Sequence, residues 1–222
     1  MVNIYCINLD HRTDRWQQAQ ENYANHGLSP GAVLRWSAVS DPDFGVLGCA
    51  KSHVAALGHF LTQSNAPYCL ILEDDFDFVL PWDELISRFT KLTEQRIDWD
   101  ALLLMGTAVL AYPPMASGVA RLLEAQSAAA YLVSRRYAAT LLGCFVECIP
   151  LMESQRHLLP HDFIQQRHAI DIAWKRLQRR DRWYIFSPSF GRQRVSYSDI
   201  EQKVVNYDDT TYGLQQQADP AP

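Results

Sequence analysis

The sequence predicts an α/β fold: one mixed, Rossmann-like sheet flanked by helices, in a single domain. Three observations predict it. Tyr68 to Leu72 is an unbroken apolar run that turns into the carboxylate cluster Glu73-Asp74-Asp75, and such a run reads as a strand buried on both faces. Similar apolar runs alternate along the chain with segments of helical period, as in βα units. Polar groups gather where these runs end, which is the edge at which open α/β sheets bind ligands. Charges are excluded from the body of a buried strand, so the acids emerge at its carboxyl end. Three adjacent acids repel one another unless something positive neutralises them. A divalent cation with oxygen ligands does this, as does a cation already carrying a diphosphate. A solvated acidic turn is the competing reading of this stretch taken alone.

The elements follow in order. Val2 to Leu9 is a β-rich run with polar groups, Asn8 and Asp10, at its exit. Thr13 is placed to cap a helix whose inner stripe is Trp16, Ala19, Tyr23 and Ala24, and Gly27 ends it. Arg12 and Arg15, beside the strand exit, are candidates for phosphate contacts, against a plain role in surface ion pairs. Val33 to Val39 is a second strand, and Asp41 to Gly45 a loop. Gly48 to Gln63 is a helix with Ala50, Val54, Leu57 and Leu61 on its apolar face. Ser52 and His53 then fall in its first turns, where a helix favours anions. Trp82 to Thr93 is an amphipathic helix with Asp83 and Glu84 in its first turn. Trp99 to Met105 is a further strand. Tyr112 to Gly118 is the most loop-like stretch and a candidate lid. Ala128 to Val133 is a strand, and Ser134 caps the helix after it. Pro160-His161-Asp162 leads into a helix through Trp174, and Trp183 to Phe186 is a late strand. Residues 187–199 read as irregular. The domain is expected over 1–214, with a disordered tail over 215–222.

Composition narrows the classes. The 222 residues are 48% hydrophobic and 20% charged with a net charge of -5, so there is no basic footprint for nucleic acid. Five cysteines, an odd number, sit mostly in apolar settings and read as small buried hydrophobes in a reducing compartment. Only Cys144 and Cys148 are spaced for one helix face, and no His-Cys pattern completes a zinc site. No apolar run of membrane-spanning length is apparent. The expectation is a cytoplasmic protein, peripheral at the inner membrane face if Lys175, Arg176, Arg179, Arg180 and Arg182, flanked by Trp174 and Trp183, meet an anionic surface. A solvated helix end explains the same cluster.

The motifs together resemble glycosyltransferase family 25, which holds the bacterial lipooligosaccharide β-galactosyltransferases and the procollagen galactosyltransferases. Ile7-Asn8-Leu9-Asp10 with Arg12, Asp14 and Arg15 resembles the family's opening. Gly45 to His53 is similar to its Gly-Cys and Ser-His signature, and Leu72-Glu73-Asp74-Asp75 to its acidic motif. Ala130 to Arg135, with Ala138 and Leu141, is similar to its strand and helix, and Ile170-Asp171 to its late Val-Asp pair. Pro188, Gln193 and Ser198-Asp199-Ile200 resemble its close. The likeness runs from residue 2 to about 201, with departures at Lys51, Asp77, Ala169 and Gly191-Arg192.

The resemblance implies a GT-A type fold and an inverting transfer of a sugar, galactose foremost, from a UDP-sugar to a glycan or glycolipid such as lipooligosaccharide. It implies Mn²⁺ or Mg²⁺ on Glu73, Asp74 and Asp75. Alternation favours Glu73 with Asp75, while a turn at that point would bring in Asp74. Asn8, Arg12, Arg15, Ser52, His53, Gln193 and Asp199 are the candidates for the donor's nucleotide and diphosphate. Inversion requires a base on the acceptor hydroxyl, and Asp171 is the candidate. The competing reading of Asp171 is a helix-face acid paired with Arg167 or Lys175 one turn away. The alternative function is a catalytically weak nucleotide-sugar binder on the same fold. A nucleotidyltransferase is less suited, because His11 to Trp16 contains no glycine.

Overall fold

The computed structural model describes residues 2–198 and 203–214. The chain runs β1 (Val2–Asn8), α1 (Thr13–Asn25), β2 (Val33–Ser37), α2 (Gly45–Gln63), β3 (Tyr68–Glu73), β4 (Phe76–Phe78), α3 (Trp82–Glu94), β5 (Ala101–Leu103), β6 (Thr107–Ala111) and β7 (Val119–Gln126). It continues through β8 (Ala130–Ser134), α4 (Arg135–Gln155), α5 (His161–His168), α6 (Ile170–Ala173), α7 (Lys175–Arg180), β9 (Trp183–Phe186), β10 (Gly191–Gln193), β11 (Ser196–Ser198) and β12 (Lys203–Val205).

Eight strands form one mixed sheet in the order β2-β1-β3-β8-β5-β9-β7-β6. β1 pairs in parallel with β2 and β3, β5 pairs in parallel with β9, and only β7 and β8 run against the rest. Helices cover both faces, so each central strand is apolar on both sides. Residues of one parity (Tyr5, Ile7, Cys69, Ile71, Leu103, Tyr131) pack toward α2 and α4. Their neighbours (Ile4, Cys6, Leu70, Leu72, Leu102, Leu132) pack toward α1 and α3. Each fully buried large aliphatic side chain contributes about 1.5–3 kcal/mol. Truncating Ile71 to alanine would cost about 2–5 kcal/mol, because close packing prevents collapse of the void.

The predicted architecture holds, and the departures have physical causes. β6 and β7 form a hairpin around Tyr112–Gly118 that the sequence did not announce. β6 lies at the sheet edge, where Val109 and Ala111 pack only partly against the core while Leu110 is exposed, so its apolar alternation is too weak to mark a strand. Residues 187–198 are more ordered than expected, because β10 pairs with β4 and β11 with β12. The expected helix through Trp174 is broken at Ala169, which is extended (φ -58°, ψ 147°), so that Asp171 sits in the first turn of a new helix. Ser134 occupies the N-cap of α4, but its side chain makes no capping bond.

α4 also corrects the reading of membrane potential. It is long and apolar enough to cross a bilayer by length and composition. The sequence hid this because Arg135, Arg136, Glu147 and Glu153 interrupt the apolar residues. In the fold its inner face, including Leu141, Phe145 and Met152, packs into the core.

Candidate active site

At the carboxyl edge of β1 and β3 the molecule opens into a cleft of about 610 Å³. Its floor is the acidic turn after β3. One wall is the loop from Ala38 to Gly45 with the start of α2; the other is Gln126-Ser127-Ala128 with Ile170 and Asp171. Val205 and Tyr207, from the segment after β11, complete the rim. That segment is tied back to the sheet by a bridge between Thr107 and Thr211.

The strand's two-residue period divides the acids. Glu73 continues the parity of Cys69 and Ile71 and therefore faces α2. His53 Nε2 lies 3.1 Å from its Oε1, and the Cys49 thiol donates to the same oxygen at 3.6 Å. His53 is fully buried, and its Nδ1 lies 2.9 Å from the Tyr131 hydroxyl. Burial pushes the Glu73 carboxyl up, but the pull of His53, the Cys49 thiol and the Arg15 charge together outweighs it and leaves the group below the ordinary value.

Asp74 takes the opposite parity and faces α1. Its Oδ1 accepts from Arg15 Nη1 at 2.9 Å, and its Oδ2 from Asn8 Nδ2 at 2.6 Å. Asn8 also donates to the Arg12 carbonyl and accepts from Arg35 Nε, which ties the β1 exit to α1 and β2. Asp74, Arg15 and Asn8 are all buried, and together they form a closed polar knot under the floor. Of the predicted inner stripe of α1, Ala19 and Tyr23 are buried and Trp16 packs against the core, whereas Ala24 is exposed and Arg15, which the knot draws inward, takes a buried place the sequence did not show.

Asp75 differs from both. Arg15 Nη1 approaches its Oδ2 only to 3.6 Å, and its Oδ1 is buried with no hydrogen-bond partner among the described residues. Burial, and then the charge of Glu73, push its carboxyl up to about 7 against the pull of Arg15. An incompletely partnered, half-buried carboxylate beside a second carboxylate is the donor set of a hard divalent cation. Glu73 and Asp75 fit such an ion, whereas Asp74 already commits one oxygen to Arg15 and the other to Asn8.

Asp171 faces the same cleft. The Ser127 N–H donates to its Oδ2 at 3.0 Å, and burial raises its carboxyl above the ordinary range, with Glu73 adding to the rise. Ser127 has φ +77°, a left-handed conformation that costs a non-glycine residue on the order of 1–3 kcal/mol. Its hydroxyl donates to Gln193 Oε1 at 3.0 Å, so one strained residue aligns two cleft side chains. No sequence signal marked Ser127, which lies in an alanine-rich stretch.

The other predicted residues divide. Arg15 and Gln193 line the cleft. Arg12 forks onto Asp14 at the surface, and its hydrogen bonds hold the Asp14 carboxyl down to about 2. α2 begins at Gly45, a turn earlier than expected, so Ser52 and His53 lie beyond its first turn. Ser52, at the cleft wall, donates to the Gly48 carbonyl and accepts from the Val39 N–H, which pins the loop to α2. A Cβ at Gly48 would come within 2.6 Å of the Val39 carbonyl, so this approach demands glycine. Asp199 and Ile200 of the closing motif, and the expected tail over 215–222, lie outside the described residues. Arg156 grips Asp41 of the same loop through two 2.9 Å bonds, a pair the sequence did not reveal.

The basic cluster is compensated. Lys175 and Arg179 face Glu124, Arg176 meets Glu147, Arg180 meets Asp181, and Arg182 meets Asp98 and Asp100. Trp174 and Trp183, expected at the surface beside them, are fully buried. Their indoles fill the core and donate to the Ala125 carbonyl and the Tyr137 hydroxyl.

No family model matches the sequence, and no curated protein does. Solved structures do. The A197 protein of STIV superposes over 92% of this chain and 92% of its own with a TM-score of 0.50 at 10% identity. At that identity the likeness is one of fold, and it spans nearly the whole chain. Mannose-1-phosphate geranyltransferase from Thermus thermophilus matches over 83% of this chain and 73% of its own (TM-score 0.48, 9% identity). Mouse xyloside xylosyltransferase 1 in its apo form matches over 84% and 85% (TM-score 0.41, 10% identity).

Proposed function

We propose that the protein is a metal-assisted, inverting glycosyltransferase of the family 25 kind, using a nucleoside diphosphate sugar, UDP-galactose foremost, and a hydroxyl acceptor on a glycan or glycolipid. The observation that carries this reading is the convergence in one cleft of Asp75, a half-buried carboxylate whose Oδ1 has no hydrogen-bond partner among the described residues, with Glu73 and Asp171. The sequence motifs supply the donor and the family.

Glu73 and Asp75 would hold the cation, Mn²⁺ or Mg²⁺, which when bound offsets the charge of the leaving diphosphate. Arg15, at the cleft surface, adds a fixed positive charge on the same side. Asp171 takes the proton of the acceptor hydroxyl as its oxygen bonds to the sugar carbon and the bond to the diphosphate breaks on the opposite face. Burial strengthens Asp171 as a base, and the Ser127 N–H fixes its direction. The Ala38–Gly45 loop and Tyr207 narrow the cleft and exclude water from the sugar.

The test is a panel of UDP-sugars incubated with acceptor glycans in Mn²⁺ and in chelator, with UDP release and product followed separately. The expected result is metal-dependent transfer that is lost in Asp171→Asn while UDP binding is retained. Full transfer by that variant would remove Asp171 as the base, and UDP binding with no transfer to any acceptor would favour a binding protein.

A further inference from the structure

We propose that Cys49, His53 and Glu73 form a three-ligand site for a thiophilic divalent cation of the Zn²⁺ class, with its fourth position open to the cleft. Cys49 and His53 are four residues apart in α2 and therefore share one helix face, a spacing that the sequence reading overlooked. β3 delivers Glu73 to that face by strand alternation. The three donor atoms lie within 4.8 Å of one another.

The distances fit a tetrahedral ion. Zinc bond lengths of about 2.3 Å to sulfur and about 2.0–2.2 Å to nitrogen and oxygen give polyhedron edges of roughly 3.3 Å for N···O and roughly 3.5 Å for S···O. The structure has 3.1 Å from His53 Nε2 to Glu73 Oε1 and 3.6 Å from Cys49 Sγ to the same oxygen. Two of the three edges are thus set before any metal arrives.

The surroundings fit as well. Tyr131, itself buried, holds His53 Nδ1 at 2.9 Å, which turns Nε2 toward the site, as outer-shell partners of metal-bound histidines do. Cys49 and Glu73 line the cleft while His53 closes the buried side, so the open position faces solvent. Three protein ligands with one open position is the arrangement of a reactive or exchangeable zinc rather than a closed structural one. The thiol separates this site from the oxygen pair Glu73 and Asp75, since sulfur selects zinc-like ions and carboxylates select Mg²⁺ or Mn²⁺. Binding forms a metal–sulfur bond and releases the Cys49 proton to solvent. His53 enters through a neutral ring nitrogen, Glu73 as carboxylate, and nothing is oxidised. Glu73 belongs to both sets, so an ion held by Cys49 draws it away from Asp75. The site itself stands whether or not a sugar is transferred.

The test is a titration of the reduced, full-length protein with Co²⁺ under anaerobic conditions, followed by absorption. The expected result is a sulfur-to-metal charge-transfer band with visible bands of four-coordinate intensity, saturating at one ion and abolished by one equivalent of Zn²⁺. Cys49→Ser should lose the charge-transfer band while its circular dichroism stays unchanged. Tyr131→Phe should keep the band and weaken Co²⁺ about 10- to 100-fold, as loss of an outer-shell partner does. Absence of the band in the folded wild-type protein, or its persistence in Cys49→Ser, overturns the proposal and leaves His53–Glu73 as a hydrogen-bonded pair.

Discussion

Two charged regions of this molecule resemble each other in sequence and differ in physics. The acidic turn at Glu73–Asp75 and the basic run from Lys175 to Arg182 are both dense in like charge. In α7 and its exit every cation faces a carboxylate; apart from buried Asp100, which Arg182 grips, these partners reach solvent, and water screens what remains. At the end of β3 the acids are withdrawn into the cleft floor, and of the three Asp74 is the buried one, fully answered by Arg15 and Asn8. Density of charge therefore says little by itself. What separates a site from a solvated face is charge that the fold buries and leaves incompletely matched.

Arg15→Ala is the severest way to break the comparison. It leaves Asp74 buried without its cation, and breaking a buried pair costs about 3–5 kcal/mol. A urea midpoint close to wild type would mean that Asp74 escapes to solvent. Asp75→Asn should act oppositely, leaving the fold intact while Mn²⁺-dependent UDP binding, read by calorimetry, weakens by roughly 100-fold, since a metal ligand is worth several kcal/mol. Unchanged affinity would move the ion off Asp75.

A third test lies between the two regions, at the Asp41–Arg156 fork. Burial pushes the Asp41 carboxyl up, but Arg156, the Phe44 N–H and Lys51 together more than offset this and leave it below the ordinary value of 3.8. The native state thus binds this proton less tightly than the unfolded chain. Its contribution is full above the ordinary carboxylate range and is lost as pH falls through the depressed value. Asp41→Asn should cost about 1 kcal/mol at pH 7 and converge with wild type in strong acid, as urea midpoints across pH would record. The smallest effect is expected at the surface: Arg176→Gln and Arg179→Gln should each change stability by about 0.5 kcal/mol or less. A larger loss in either would give the basic face a structural weight that its exposure denies.

Much of this was legible in the sequence. The strands of the sheet's centre were visible because both faces are buried, and the placement of the acids followed because a buried strand expels charge. The division of the acids was not, since it depends on which helix lies on which face: Glu73 meets α2, and Asp74 meets α1. Reading Glu73 and Asp75 as a pair by alternation holds only as far as the turn allows. That Arg15 also pairs with Asp74 was not legible, because nothing local says that Asp74 will lie beneath it. Ser127 and the break at Ala169 were invisible, because each is a backbone conformation fixed by distant partners. Cys49 and His53 were legible by spacing within the expected helix, but the third ligand, Glu73, comes from β3, and only the fold brings that strand against α2.

The rim of the cleft has a consequence in time. Ile7 and Tyr207 both line it, and Thr107 reaches Thr211 to hold that rim in place. Closing so long a stretch of chain is entropically demanding and slow. The β1–β3 core can pair as soon as Tyr68 to Glu73 is available, whereas the cleft waits for residues synthesised nearly at the far end of the described chain. A nascent or partly refolded molecule thus holds its acids in place but has no complete pocket around them. Ligand affinity, recovered later than sheet structure on refolding, becomes a clock for the last step of folding.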